Sequence, residues 1–199
     1  MTSRTKALFA LVIVSLLWSS AAVTVKTLFH NFHPFIVAFL RFGIATIVLL
    51  PFTRHIRITA HALRDLLPVA LFGFANILFF FLGVRTTTAN ATAILYTTTP
   101  LLVAIIARKT IQEKISMQKT LGILLGFVGV IIIALTPLVQ AGKYIEGDVV
   151  GNILIAGGVF MWALYTIRSR SAMTKGYTPL EATYVFFVTT TILFFVLSL

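Results

Sequence analysis

The side chains best placed to recognise a small molecule are those whose polarity contradicts their surroundings. Arg41 interrupts the apolar run from Pro34 to Phe52. At ~1.5 Å per residue it stands roughly 10 Å inside that run. A base at such depth costs at least ~2.5 kcal/mol, and it normally faces a bundle interior or a watery cavity. It can bind a ligand there, snorkel, or bond the carbonyls of a broken helix. Tyr96 lies at similar depth in the run from Ala89 to Ala107, where its hydroxyl can face the same cavity or a neighbouring helix. Trp18 and Trp162 both fall near the middle of their runs, too deep for an interfacial belt, and so pack against helices or lipid or form a wall. Asn76 is central in Leu67–Val84, where an amide either joins helices or touches a ligand. Pro100 removes one backbone bond and frees carbonyls that a cavity could use, or it simply kinks its helix. This chemistry is recognition without bond making.

The remaining polar residues have plainer readings. Lys26 lies near a membrane edge, where snorkelling accounts for it. Glu113 pairs with neighbouring bases, and Thr178-Pro179-Leu180-Glu181 spells a helix start with a capping box. The four histidines all lie in connections without ligand spacing, so no metal or cofactor is expected. The sequence holds no HExxH, no P-loop and no serine–histidine arrangement in register, so an enzyme reading has no residues to rest on. None of the five acids lies within an apolar run, so no intramembrane carboxylate is available to exchange a proton for a cation. Coupling groups then lie elsewhere, or a ligand brings the negative charge that Arg41 complements.

Composition explains why these residues stand out. Apolar residues make up 59% of the 199, charged residues 11%, and mean hydropathy is +1.02. A water-soluble domain carries roughly 25% charge, so the bilayer is the expected solvent. The formal charge of +11 falls in short clusters between apolar runs, which argues against a nucleic-acid partner. With no cysteine there are no disulfides and no thiolate ligands.

Seven apolar runs are long enough to cross a membrane: Ala7–Phe29, Pro34–Phe52, Leu67–Val84, Ala89–Ala107, Leu121–Leu138, Val150–Ile167 and Leu180–Leu199. The expected fold is an all-α polytopic membrane bundle of seven transmembrane helices. The first run mimics a secretory signal, with Arg4 and Lys6 before it and small residues at 19–22, but it is expected to be retained. In the fifth, Gly122, Gly126 and Gly129 share one helical face and are expected to pack closely against another helix. Twelve of the sixteen Lys and Arg fall on one side of this arrangement, which predicts a cytoplasmic N-terminus and an external end at Leu199. A multi-pass plasma-membrane location follows.

The chain also resembles itself. A shift of 144 residues lays Trp18 on Trp162 and Lys26 on Arg170, and one residue later His33-Pro34 falls on Thr178-Pro179. The sixth helix thus restarts the pattern of the first, which makes the unit five helices. An odd unit enters the membrane from opposite sides in its two copies. Such inverted repeats are typical of secondary transporters, with a site near the midplane. The first repeat occupies residues 1–138, and residues 147–199 begin the second.

In this pattern the chain resembles the EamA-like branch of the drug/metabolite transporter superfamily. The matching stretches are LLWSSAAVTVK (16–26), FLRFGIA (39–45), the Ala91, Tyr96 and Pro100 series, Glu113-Lys114, Gln118, Gly122, Gly126, Gly129-Val130 and GDVVGNILIAGGVFMWALYTI (147–167). It departs at Ser19, where the family usually has glycine after tryptophan. The resemblance implies a carrier that exports amino acids, other metabolites or drugs by alternating access, with a small-molecule substrate and the lipid bilayer as partners. It also implies ten helices, so roughly 90–110 further residues with three more spans are expected beyond Leu199, by analogy with one repeat. Two alternatives stand beside it. One is a non-transporting membrane subunit. The other is a seven-helix receptor, which would require an external N-terminus, or a photoreceptor, which would also need a Schiff-base lysine that the last span lacks.

Overall fold

The computed structural model describes residues 3–56, 58–110, 116–118, 120–125, 128 and 148–199. Eight helices are described within them. They are α1 (Ser3–Ser19), α2 (Ala21–Leu28), α3 (Pro34–Thr53), α4 (Ala60–Thr86), α5 (Ala89–Tyr96), α6 (Thr99–Thr110), α7 (Val149–Thr174) and α8 (Pro179–Ser198). Among the described residues there is no strand. Taking α1 with α2 and α5 with α6 as single crossings, six helical stretches are long and apolar enough to span a bilayer. The protein is an all-α multi-pass membrane bundle. Most of the seventh expected span, Leu121–Leu138, lies outside the described residues, as do Gly126 and Gly129.

The helix starts follow from local chemistry. Thr59, Thr88 and Asp148 each accept a hydrogen bond from the backbone N–H three residues on, capping α4, α5 and α7. At α8 the capping box forms as the sequence spells it. Glu181 N–H donates to Thr178 Oγ1 at 3.2 Å, and Thr178 N–H donates to Glu181 Oε2 at 2.7 Å, with Pro179 in the first turn. Gly176, at φ 95°, lets the chain reverse after α7, and Tyr177 N–H closes that turn on the Ala172 carbonyl.

Several boundaries differ from the sequence reading. The first span is broken at Ser20 and the fourth at Thr97–Thr98. Serine and threonine hydroxyls cause no break in hydropathy, yet they can replace the backbone bonds that a break releases. The third span begins at Ala60, and α7 runs on to Thr174. Arg64, Arg168 and Arg170 are therefore helical rather than in connections; long basic side chains let a helix continue to the membrane edge.

The core lies where α4 meets α7 and α8. Leu66, Phe81, Val84, Ile155, Val159 and Phe194 are buried there. α3 crosses α8 through a layer of phenylalanines, with Phe42 against Phe186, Phe187 and Phe194. By contrast the side chains of α1 are exposed along its described length.

Candidate functional site

The breaks in the first and fourth spans are each satisfied by hydroxyls bonding back along their own helix. At the second break Thr97, Thr98 and Thr99 donate their hydroxyls to the carbonyls of Ile94, Leu95 and Tyr96, each at 2.6 Å. The Tyr96 carbonyl is the one that Pro100, lacking an N–H, cannot serve. The chain thus turns within the membrane with its carbonyls satisfied. Pro100 sits exposed in the first turn of α6 and does not line the cavity described next.

A cavity of about 370 Å³ opens between α1, α2, α3, α4, α5, α7 and α8. Trp18, Arg41, Asn76, Tyr96 and Trp162 all line it. The two indole rings lie 5.1 Å apart, centroid to centroid. Trp162 stacks on Tyr165 at 4.9 Å, and Tyr165 packs against Phe186, so the Trp18–Trp162 wall is braced from behind. Asn76 is buried, and its Nδ2 donates to the Tyr96 hydroxyl and to the Gly158 carbonyl, both at 2.8 Å. One amide therefore fixes α5 and α7 to α4 and positions the tyrosine at the cavity wall. The Arg41 guanidinium lies 5.6 Å from the centre of its neighbour's ring, Phe42.

Phe42, Phe80, Phe186 and Phe187 complete much of the wall and escaped the sequence reading. One signal was available. The shift that lays His33-Pro34 on Thr178-Pro179 also lays Phe42 on Phe187.

Other expectations fare differently. Lys26 does not simply snorkel. Its ammonium donates to the Thr87 carbonyl at 2.6 Å, closing the C-terminus of α4, where a cation also suits the helix dipole. The close helix approach found here involves α4 and α7. A Cβ on Gly83 would stand 2.9 Å from the Gly151 carbonyl oxygen, and one on Gly158 would stand 3.4 Å from that of Asn76. At Gly122, nothing among the described residues lies within 4 Å of where a Cβ would be. No group of three or more His, Asp or Glu side chains with metal-binding geometry occurs among the described residues.

A bundle of membrane-crossing helices, broken inside the bilayer and enclosing a cavity with one base in an aromatic wall, defines a polytopic membrane protein of the transporter kind. Residues 5–135 match the EamA-like transporter family, and the chain belongs to it. It is 29% identical over 159 residues to an uncharacterized transporter of Acidianus ambivalens, covering 80% of this chain and 58% of that one. It is 31% identical to the uncharacterized transporter YyaM of Bacillus subtilis, covering 76% and 51%. An uncharacterized transporter of Archaeoglobus fulgidus is 30% identical, with 88% and 60% covered. The chain thus spans between half and three-fifths of the length of these relatives. A crystal structure of a protein 20% identical in sequence superposes with a TM-score of 0.68, covering 91% of this chain and 63% of that one, which shows a shared fold.

Proposed function

We propose that the protein is a secondary carrier that exports a small metabolite, amino acid or drug-like compound across the plasma membrane by alternating access. The observation that carries this reading is the cavity itself, bounded by helices from both proposed repeats and lined by Trp18, Arg41, Asn76, Tyr96 and Trp162. Pairs of residues equivalent under the sequence shift support a two-fold relation between the repeats. Trp18 meets Trp162, Phe42 meets Phe187 at 5.7 Å, and the hydroxyls of Thr46 and Thr191 lie 3.1 Å apart. In each pair the partner stands 144 or 145 residues on. Equivalent residues can touch only near an axis that exchanges the two copies, and the cavity lies beside it.

The test is substrate flux in proteoliposomes. The protein should mediate saturable counterflow of a substrate found by screening. Ala93→Trp, which places a large ring where a small side chain lines the cavity, should abolish flux while leaving insertion and abundance intact. Full flux through the Ala93→Trp variant would remove this cavity from the transport path, and a protein without any flux would favour the non-transporting subunit. The proposed orientation is checked separately. Reporter fusions after His61 and at Lys143 should read inside and outside respectively, and the reverse would overturn both orientation and inversion.

A further inference from the structure

The hydrogen-bonding character of the cavity points to the charge of its ligand. Among the described residues no carboxylate lines it. The acids that are described stand at helix ends: Asp65 near the start of α4, Asp148 capping α7, and Glu181 in the first turn of α8. Asp65 is already held there by Lys175 at 3.1 Å and by the Tyr177 hydroxyl at 3.0 Å. Arg41, whose side chain lines the cavity, has no hydrogen bond or ion pair with any described residue. Five N–H donors on a permanent charge are thus left for something else. The Tyr96 hydroxyl accepts from Asn76, so its own proton remains to be donated. The rest of the wall is largely apolar and aromatic, with Trp18, Phe42, Phe80, Trp162, Phe186 and Phe187. A cation would meet a like charge with no counter-ion among the described residues lining the cavity, and a neutral ligand would leave the guanidinium charge unmatched.

We propose that the cavity selects an organic anion: one carboxylate-like group held by Arg41 with help from the Tyr96 hydroxyl, and an apolar body against the Trp18–Trp162 wall. This deepens the carrier reading and rests on the cavity being a binding site.

The chain contains two tryptophans, and both line the cavity. Intrinsic tryptophan emission therefore reports on this site and needs no transport. The purified protein in detergent is titrated with phenylacetate, phenylacetamide and phenethylamine, which share a ring and differ in charge. Phenylacetate should bind at least about tenfold more tightly than the amide, a difference of ~1.4 kcal/mol, with the amine weakest. Acidifying below the ligand's own carboxyl pKa should erase the preference in the unaltered protein. Arg41→Gln should bring the ratio of acid to amide affinity to about one, and Arg41→Lys should retain part of it, since a point charge cannot reproduce a bidentate fork. Equal binding of acid and amide, or preference for the amine, overturns the anion proposal and leaves the cavity a binding site. If none of the three perturbs the emission at millimolar concentration, the anion proposal fails; whether the cavity transports at all is then decided by the flux experiment.

Discussion

At the scale of single residues, Asn76 is the side chain on which most depends. Its two N–H groups are divided between Tyr96 on α5 and the Gly158 carbonyl on α7, so one amide in a nonpolar surrounding joins three helices at the cavity wall. Interhelical hydrogen bonds in bilayers contribute about 0.6 kcal/mol on average and up to about 1.7. Asn76→Ala removes two such bonds and is expected to cost about 1–3 kcal/mol. Tyr96→Phe removes one bond and keeps the ring's edge contact with Phe80, so it should cost about half as much. Thermal unfolding in detergent measures both, and a Tyr96→Phe loss equal to that of Asn76→Ala would deny Asn76 its joining role. The same physics decides what was legible. Arg41, Asn76, Tyr96 and the two tryptophans could be picked out because a polar or bulky amphipathic group in an apolar run needs a reason. Phe80 and Phe186 could not, and Phe42 and Phe187 only through the repeat shift. Among 18 phenylalanines, one facing a cavity and one facing lipid look alike, since neither position costs anything in hydrocarbon. Lys26 shows the complementary failure, because its depth could be counted but its partner at Thr87 exists only once α2 lies beside α4.

At the scale of elements, the apolar runs were legible and their interruptions were not. Hydropathy sees length, whereas the breaks at Ser20 and Thr97–Thr98 are made by short hydroxyl side chains bonding back along their own helix. Close packing was equally hidden. Gly122, Gly126 and Gly129 attract attention through their spacing on one face, but Gly83 and Gly151 belong to helices far apart in the chain, and no periodicity links them. Their importance lies in the backbone distance between α4 and α7. A methyl group on Gly83 would meet Ile155 Cγ1 at 2.8 Å and the Gly151 carbonyl at 2.9 Å, and the carbonyl cannot turn aside without disturbing α7. One on Gly151 would meet the Thr87 amide nitrogen at 2.9 Å. Gly157, one residue before Gly158 on the same helix, has only the Phe79 ring at 3.8 Å, an ordinary contact. Gly83→Ala is therefore expected to lose about 1–3 kcal/mol through overpacking, and Gly157→Ala to stay within about 0.5 of the unaltered protein. Comparing the two by unfolding in detergent tests the contact, since equal tolerance of both would mean that α4 and α7 lie further apart.

At the scale of the whole molecule, the proposed two-fold relation makes a prediction about motion. If a carrier's two end states arise when two repeats exchange conformations, the states are related by the same axis that relates the repeats. The distance from a residue in one repeat to its own equivalent in the other must then be identical in both states, whatever happens between. Thr46 and Thr191 form such a pair, with hydroxyls 3.1 Å apart. Asp65 and Tyr177 do not. They join the start of α4 to the turn after α7 at one end of the bundle, and residues unrelated by the shift are free to separate when that end opens. The chain has no cysteine, so an introduced pair reports on itself alone. Thr46→Cys with Thr191→Cys should cross-link through a short bifunctional thiol reagent under all conditions, with or without ligand, and the linked protein should retain flux. Asp65→Cys with Tyr177→Cys should cross-link in a ligand-dependent fraction, and the linked protein should lose flux. Thr46→Cys with Ser198→Cys serves as the geometric control, since Ser198 lies two turns or roughly 10 Å further along α8. Mass spectrometry of the linked peptides reads each yield. Loss of flux when Thr46 and Thr191 are joined, or a yield there that varies with ligand, would show that the two halves do not exchange conformations about this axis.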